Sequence, residues 1–198
     1  MRLKKDAKFV FIGDDTLAGS HFISHIKKQV PNREIINKSM AGDTMMSLLA
    51  RIESDALDEK PEVLVIMIGS NDIWENRHDV MLGTLGSMLN FEDMYRSMLR
   101  KVEALDPQRV ILIEPFYVSY PSLYDNLRYD ASDKMFVVRK LAREFGYNFV
   151  GADGVLNSAA INTHPRSIVK PRGLQVRSKG QILIAEEVIK LFREWSIV

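Results

Sequence analysis

Six consecutive residues, Val63 to Ile68 (VLVIMI), carry no polar side chain. A strand with one wet face alternates apolar and polar positions, so a run without alternation fits a strand covered on both faces, in the middle of a parallel sheet. Four more short apolar or β-branched runs punctuate the chain: Phe9 to Ile12, Glu34 to Asn37, Val110 to Ile113 and Asn148 to Gly151. Between and after them the apolar spacing becomes helical, at about Leu17 to Gln29, Thr44 to Leu57, Glu92 to Leu105, Ala131 to Glu144 and Ser178 to Trp195. The last of these opens on Ser178, a good N-cap residue, and its Ile184, Ala185, Val188, Ile189 and Phe192 fall on one stripe. The pattern is βα repeated five times, which implies helices on both faces of one sheet. Asn76 to Asn90, Phe116 to Tyr129 and Leu156 to Arg177 read as loops, and loops after the carboxyl ends of parallel strands are where such sheets build ligand sites.

A chain of 198 residues with 46% hydrophobic content suffices for one core and is short for two, so residues 1–198 are expected to form a single domain. Its 27 basic and 26 acidic residues nearly cancel, with no long block of either sign, which argues against a nucleic-acid partner. Cysteine is absent, which excludes disulfides, a thiolate nucleophile and a Cys-ligated metal. The N-terminal MRLKKDAKFVFIG has basic residues before an apolar run, but that run spans only Phe9 to Ile12 after Asp6. It is too short for a signal core or a membrane span, and we read it as the first strand of a cytoplasmic protein.

Polar residues gather where the first three strands end. The first runs into IGDDTLAG, with Asp14 and Asp15 at a strand-to-helix turn; the second into NKSMAGDT, with Gly42 ahead of Asp43 and Thr44; the third into IGSNDIW, with Ser70, Asn71 and Asp72. Each cluster has a plain structural explanation, since Asp, Ser and Thr cap helices, and Gly42 alone is ordinary loop chemistry. A polar cluster directly behind a fully apolar strand nevertheless marks a candidate site.

Together the three strings resemble the first three sequence blocks of the SGNH, or GDSL-type, ester hydrolases, and RGLQVRSKGQILIAEEVIKLF resembles their fourth, with Gly173, Gly180 and Ala185 in register. The resemblance spans about Lys8 to Phe192 and implies a three-layer α/β/α sandwich around a five-stranded parallel sheet of flavodoxin-like order 2-1-3-4-5. It assigns Gly42 and Asn71 to the oxyanion hole, together with the nucleophile's own amide, here that of Asp15. It also places Asp15 at the nucleophilic serine, Arg172 at the triad aspartate and Gln175 at the triad histidine, so all three positions depart from the family pattern.

Those departures have chemical consequences. Gln175 neither accepts nor donates a proton near neutral pH, Arg172 is a fixed cation where an imidazolium needs an anion, and Asp15 would repel a developing oxyanion. The reading is therefore a non-catalytic or repurposed homologue that binds a small ester, acyl or carbohydrate ligand, or a protein partner, at the old active site, with Asp14, Ser70, Asp72 and His164 as further ligand-binding candidates. An exposed apolar patch without an open pocket would instead favour a purely structural or interaction role. The alternative within catalysis is an esterase with a rearranged mechanism, Asp15 attacking and His164 activating water.

Arg172 is expected to pair with Asp15 if the fourth-block loop covers it, or else to be a solvated loop residue. Asp14, Asp15, Asp43 and Asp72 form an oxygen-donor set for a hard cation, but each also has a capping explanation, and neither a metal nor another cofactor is expected. His21 and His25 lie four apart on a helix without a third ligand and read as an ordinary face. Tyr117, Tyr120, Tyr124 and Tyr129 either line a pocket or belong to a flap packed on its own domain. Met81, Met88, Met94 and Met98 read as core filler or a subunit contact, and homo-oligomerisation is left open.

Overall fold

A computed structural model describes residues 7–77 and 86–197, with residues 86–89 described by their backbone alone. Five strands, β1 (Lys8–Gly13), β2 (Glu34–Asn37), β3 (Val63–Met67), β4 (Arg109–Ile113) and β5 (Asn148–Val150), form one parallel sheet in the order β2-β1-β3-β4-β5. Each strand lies where its apolar run predicts. The central register pairs Phe9 with Val63 and Ile12 with Ile66, then Val63 with Arg109 and Met67 with Ile113.

Because side chains alternate across a strand, the sheet divides its apolar residues between two cores. Phe9, Phe11, Val63, Val65, Met67, Ile111 and Ile113 face one way, with Phe22 and Ile26 of helix α2 (Ser20–Gln29) and Ile184, Val188 and Phe192 of helix α9 (Ser178–Glu194). Val10, Ile12, Leu64, Ile66, Val110 and Leu112 face the other way. They meet Leu48 of α3 (Met45–Ile52), Tyr95 and Leu99 of α5 (Gly86–Leu105), and Val138 and Leu141 of α6 (Leu127–Glu144). All five residues of β3 are buried, so the strand sits between the two cores as its composition requires. Each fully buried Val, Leu or Ile side chain stabilises the fold by about 1.5–3 kcal/mol.

Several boundaries differ from the sequence reading, each for a local reason. The expected helix Leu17 to Gln29 is two pieces, α1 (Asp15–Ala18) and α2, divided at Gly19. A Cβ at Gly19 would lie 2.2 Å from Gln181 Nε2 of α9, whose Oε1 accepts from the amides of His21 and Phe22 and so caps α2 from outside. The stretch expected as a loop from Leu156 holds most of α7 (Ala152–Asn162) and then α8 (Pro165–Ile168). The buried residues of α7, Ala152, Leu156 and Ala160, are spaced by four but include two alanines, too little apolar surface to register as a stripe. Helix α4 (Ser70–Glu75) is six residues long, below the length at which periodicity can be read.

Met81 and the Met88 side chain lie outside the described residues, whereas Met98 is buried in the second core and Met94 packs against it. The tyrosine-rich segment divides: Tyr117 is buried in a small third cluster with Ile73, Leu127 and Leu174, while Tyr129 is exposed. Among the described residues no helix is long and apolar enough to cross a membrane.

Candidate active site

The carboxyl ends of β1 and β3 are forced close together at Gly13, where a Cβ would lie 1.9 Å from the Met67 carbonyl oxygen. The Asp14 amide donates to that same oxygen at 3.1 Å. This contact aims two neighbouring carboxylates in different directions. Asp14 turns inward, is fully buried, and accepts from the amides of Thr16 (3.2 Å) and Ser70 (3.3 Å). Burial outweighs those two amides and the Ser70 hydroxyl, and the nearby charge of Asp15 adds to it, so the Asp14 carboxyl is pushed up from 3.8 to about 7.

Asp15 turns outward into the opening between the strand-end loops. Its Oδ2 accepts from the Gly42 amide and from Asn71 Nδ2, each at 2.9 Å, and its Oδ1 accepts from Gln175 Nε2 at 2.9 Å. Three uncharged donors, two from loops and one from the first turn of α4, thus converge on one half-buried carboxylate. Gly42 reaches it from a turn with φ +83, in the left-handed region that glycine occupies without strain. Asn71 is held by a second hydrogen bond from Nδ2 to the Asp43 carbonyl at 2.9 Å.

The other expected site residues are committed elsewhere. Asp43 is clamped by Arg51 and accepts from the Ser47 hydroxyl. Asp72 accepts the Met45 amide on both oxygens at 3.1 Å, which caps α3, and burial pushes its carboxyl up to about 6. Among the described residues no group of three or more His, Asp or Glu is arranged to hold a metal ion. Ser70 is buried beside Asp14: its amide donates to that carboxyl, and its hydroxyl, which meets no partner at full hydrogen-bond geometry, also helps hold the carboxyl down. His164 is exposed; its Nδ1 accepts from the Arg166 amide at 3.0 Å and its ring lies edge-on to Tyr120, so it caps α8, with no hydrogen bond to Asp15. His25 pairs with Glu186 across α2 and α9, the ordinary helix face expected of it.

Arg172 corrects an expectation. It forms no ion pair with Asp15: the guanidinium lies 4.1 Å from the centre of the Trp74 ring instead. The reason is backbone geometry, since Arg172 has φ +87 and its amide donates to the Tyr120 carbonyl, which carries the side chain away from Asp15. Trp74 is the residue that the sequence reading passed over. It stands one helical turn after Asn71 on α4, touches Arg77 at 4.4 Å and Tyr124 at 5.7 Å, and forms one wall of a cleft of about 500 Å³. Its position three residues beyond Asn71 was the available signal, because residues three apart share a helix face.

The profile of the GDSL-like lipase/acylhydrolase family matches residues 11–167. The chain belongs to that family. The match takes in Asp14, Asp15, Gly42, Ser70 and Asn71 and ends before Arg172 and Gln175. An acetylxylan esterase of Geobacillus stearothermophilus is 28% identical over 157 residues, 79% of this chain and 70% of the esterase. Among solved structures, a catalytic mutant of an acetylxylan esterase from the same organism superposes with a TM-score of 0.81 at 23% identity, covering 98% of this chain and 96% of that one. An α/β hydrolase from the metagenome of Lake Arreo, Spain, gives 0.80 at 20% identity over 95% of both chains. These structural likenesses, with the sheet order, establish the fold; the family profile establishes the kinship with ester hydrolases.

Proposed function

We propose that this member of the GDSL-like family binds a small acyl, ester or carbohydrate ligand without cleaving it, its ester-cleaving triad having been replaced. The observation that carries the reading is the Asp15 carboxylate on the donors of Gly42 and Asn71, the two residues that the family resemblance assigns to the oxyanion hole. An oxyanion hole works by having donors free for the charge that develops in the transition state. Here the Asp15 carboxylate already occupies two of them, and Gln175 holds it from the other side. None of the three donors is a base near neutral pH, so no group touching Asp15 takes a proton from a nucleophile. The kinship with an acetylxylan esterase supports the ligand class, an acylated or sugar-like molecule. The rearranged mechanism finds no support in the geometry, because His164 Nδ1 is engaged by the Arg166 amide.

The test is hydrolysis of short-chain nitrophenyl esters by the native chain and by the triple variant Asp15→Ser, Arg172→Asp, Gln175→His. Native rates equal to buffer, with measurable turnover by the triple variant, are the expected result. Loss of a triad costs on the order of a million-fold. Native hydrolysis that disappears in Asp15→Ala would overturn the proposal.

A further inference from the structure

Trp74 is shared by two openings. One is a small recess of about 60 Å³ beside Asp15, lined by Ser70, Asn71, Trp74, Arg172, Leu174 and Gln175 among others. The second is the cleft of about 500 Å³, where Trp74 and Arg77 face Leu123, Tyr124 and Leu127. The recess has the volume of about two water molecules, enough for the head of a ligand but not its body. The cleft has the size of a small-molecule site and mainly apolar and aromatic walls.

Two guanidinium groups frame this pair of openings. Arg172 lies against the Trp74 ring on the recess side, and Arg77, lining the cleft, lies against the same ring while one of its nitrogens donates to the Trp74 carbonyl at 2.7 Å. Among the described residues neither has a carboxylate partner, whereas Arg51, Arg96, Arg128 and Arg139 all do. Arg172 is also held at φ +87, a conformation that costs a non-glycine residue free energy and persists where its surroundings impose it. The Pro171 ring on one side, the Gly173 turn on the other and the amide bond to Tyr120 fix it there. Ser70 also lines the recess, its amide donating to the buried Asp14 carboxyl and its hydroxyl acting on the same group. Asp125, which also lines the cleft, accepts the hydroxyls of Tyr117 and Ser119 on one oxygen, Oδ1.

We infer that the ligand is a carboxylate carrying an apolar or aromatic body. Its carboxylate bonds the exposed Arg172 guanidinium, whose charge offsets that of Asp15, itself already bonded by three donors, and its body crosses Trp74 into the cleft toward Leu123 and Tyr124. Guanidinium is the cation best matched to a carboxylate, with a planar fork that bonds both oxygens, and Trp74 keeps that fork flat and oriented. The apolar walls select against a fully hydroxylated body, which would lose its water without regaining hydrogen bonds. The inference narrows the proposed function to its acyl ligands, setting the carbohydrate aside, and rests on it in one respect, that the ligand is held and released unchanged.

The experiment is calorimetric titration of the native chain with 3-phenylpropionate, octanoate, glucuronate and, as neutral counterparts, 3-phenylpropanol and octanol, each sample then being chromatographed for turnover of a matching ethyl ester. The expected result is millimolar or tighter binding of 3-phenylpropionate or octanoate, at least tenfold weaker binding of the alcohols and of glucuronate, and a tenfold or greater loss of acid binding in Arg172→Met with the fold retained by circular dichroism. Arg77→Met should weaken binding less, and Leu123→Asp should weaken it without touching the preference for acid over alcohol. Alcohols that bind as well as acids, glucuronate that binds better than both, no binding at all, or an unchanged affinity in Arg172→Met each overturn the inference. Ester turnover with intact acid binding sinks only the non-catalytic reading, so the two fail separately.

Discussion

Asp14 and Asp15 are adjacent in the chain and chemically identical, yet the molecule treats them in opposite ways. Asp14 points into the interior, where the amides of Thr16 and Ser70 and the Ser70 hydroxyl do not make up for lost water, and its carboxyl is pushed up to about 7. Asp15 points into the opening and meets three donors at 2.9 Å while keeping partial contact with solvent. The difference teaches that burial and donor count act separately on a carboxylate: one is under-compensated for the water it lost, the other has its charge bonded on both oxygens.

The largest test of this contrast is the pH dependence of stability. Between its ordinary pKa of 3.8 and about 7, Asp14 holds a proton in the folded chain that the unfolded chain has already released. Protonation therefore favours the folded state, and this group's contribution declines as the pH rises through that window, by about 4 kcal/mol in all. Asp72, raised to about 6, adds a smaller decline of the same sign. Urea unfolding at pH 4.5 and pH 8 should show Asp14→Asn with a clearly flatter profile than the native chain; equal slopes would mean that Asp14 is solvated after all.

Next in size is Asp15→Ala, which strands the donors of Gly42, Asn71 and Gln175 in an opening that water can enter. A loss of about 1–3 kcal/mol is expected by urea unfolding, with Asp15→Asn losing less because its carbonyl still accepts. A stabilised Asp15→Ala chain would show that the carboxylate is strained in its place, as a catalytic group often is. The smallest effect is Arg172→Ala, at most about 1 kcal/mol, because the residue is exposed and, among the described residues, its side chain loses only the ring contact. A loss of 3 kcal/mol or more would restore the ion pair with Asp15 that the geometry denies.

The same contrast explains what was legible in the sequence. The five strands, their order and the gathering of Asp15, Gly42, Asn71 and Gln175 follow from apolar runs and from four motif blocks, because strand ends in a parallel sheet bring their loops to one edge. The fate of individual side chains was not legible. Nothing in the letters of GDD says that the first Asp points inward and the second outward; that depends on the close approach of β1 to β3 at Gly13. Arg172 escaped in the same way, since its direction is set by a left-handed backbone that sequence favours for glycine. Helix α7 was lost to its alanines, and the cleft beside Trp74 is assembled from segments about fifty residues apart.

The central claim is that the Asp15 side chain fills a site shaped for an anion. If so, removing the carboxylate leaves the three donors in place for a free one, and formate is the smallest that fits where an Ala Cβ remains. Thermal unfolding of Asp15→Ala should shift upward with added formate, following the mass-action form of ligand stabilisation, while sodium chloride at equal ionic strength gives no such shift and the native chain, whose Asp15 fills the three donors, gives a clearly smaller one with formate. Equal formate responses in the native and Asp15→Ala chains, or none in either, would contradict it.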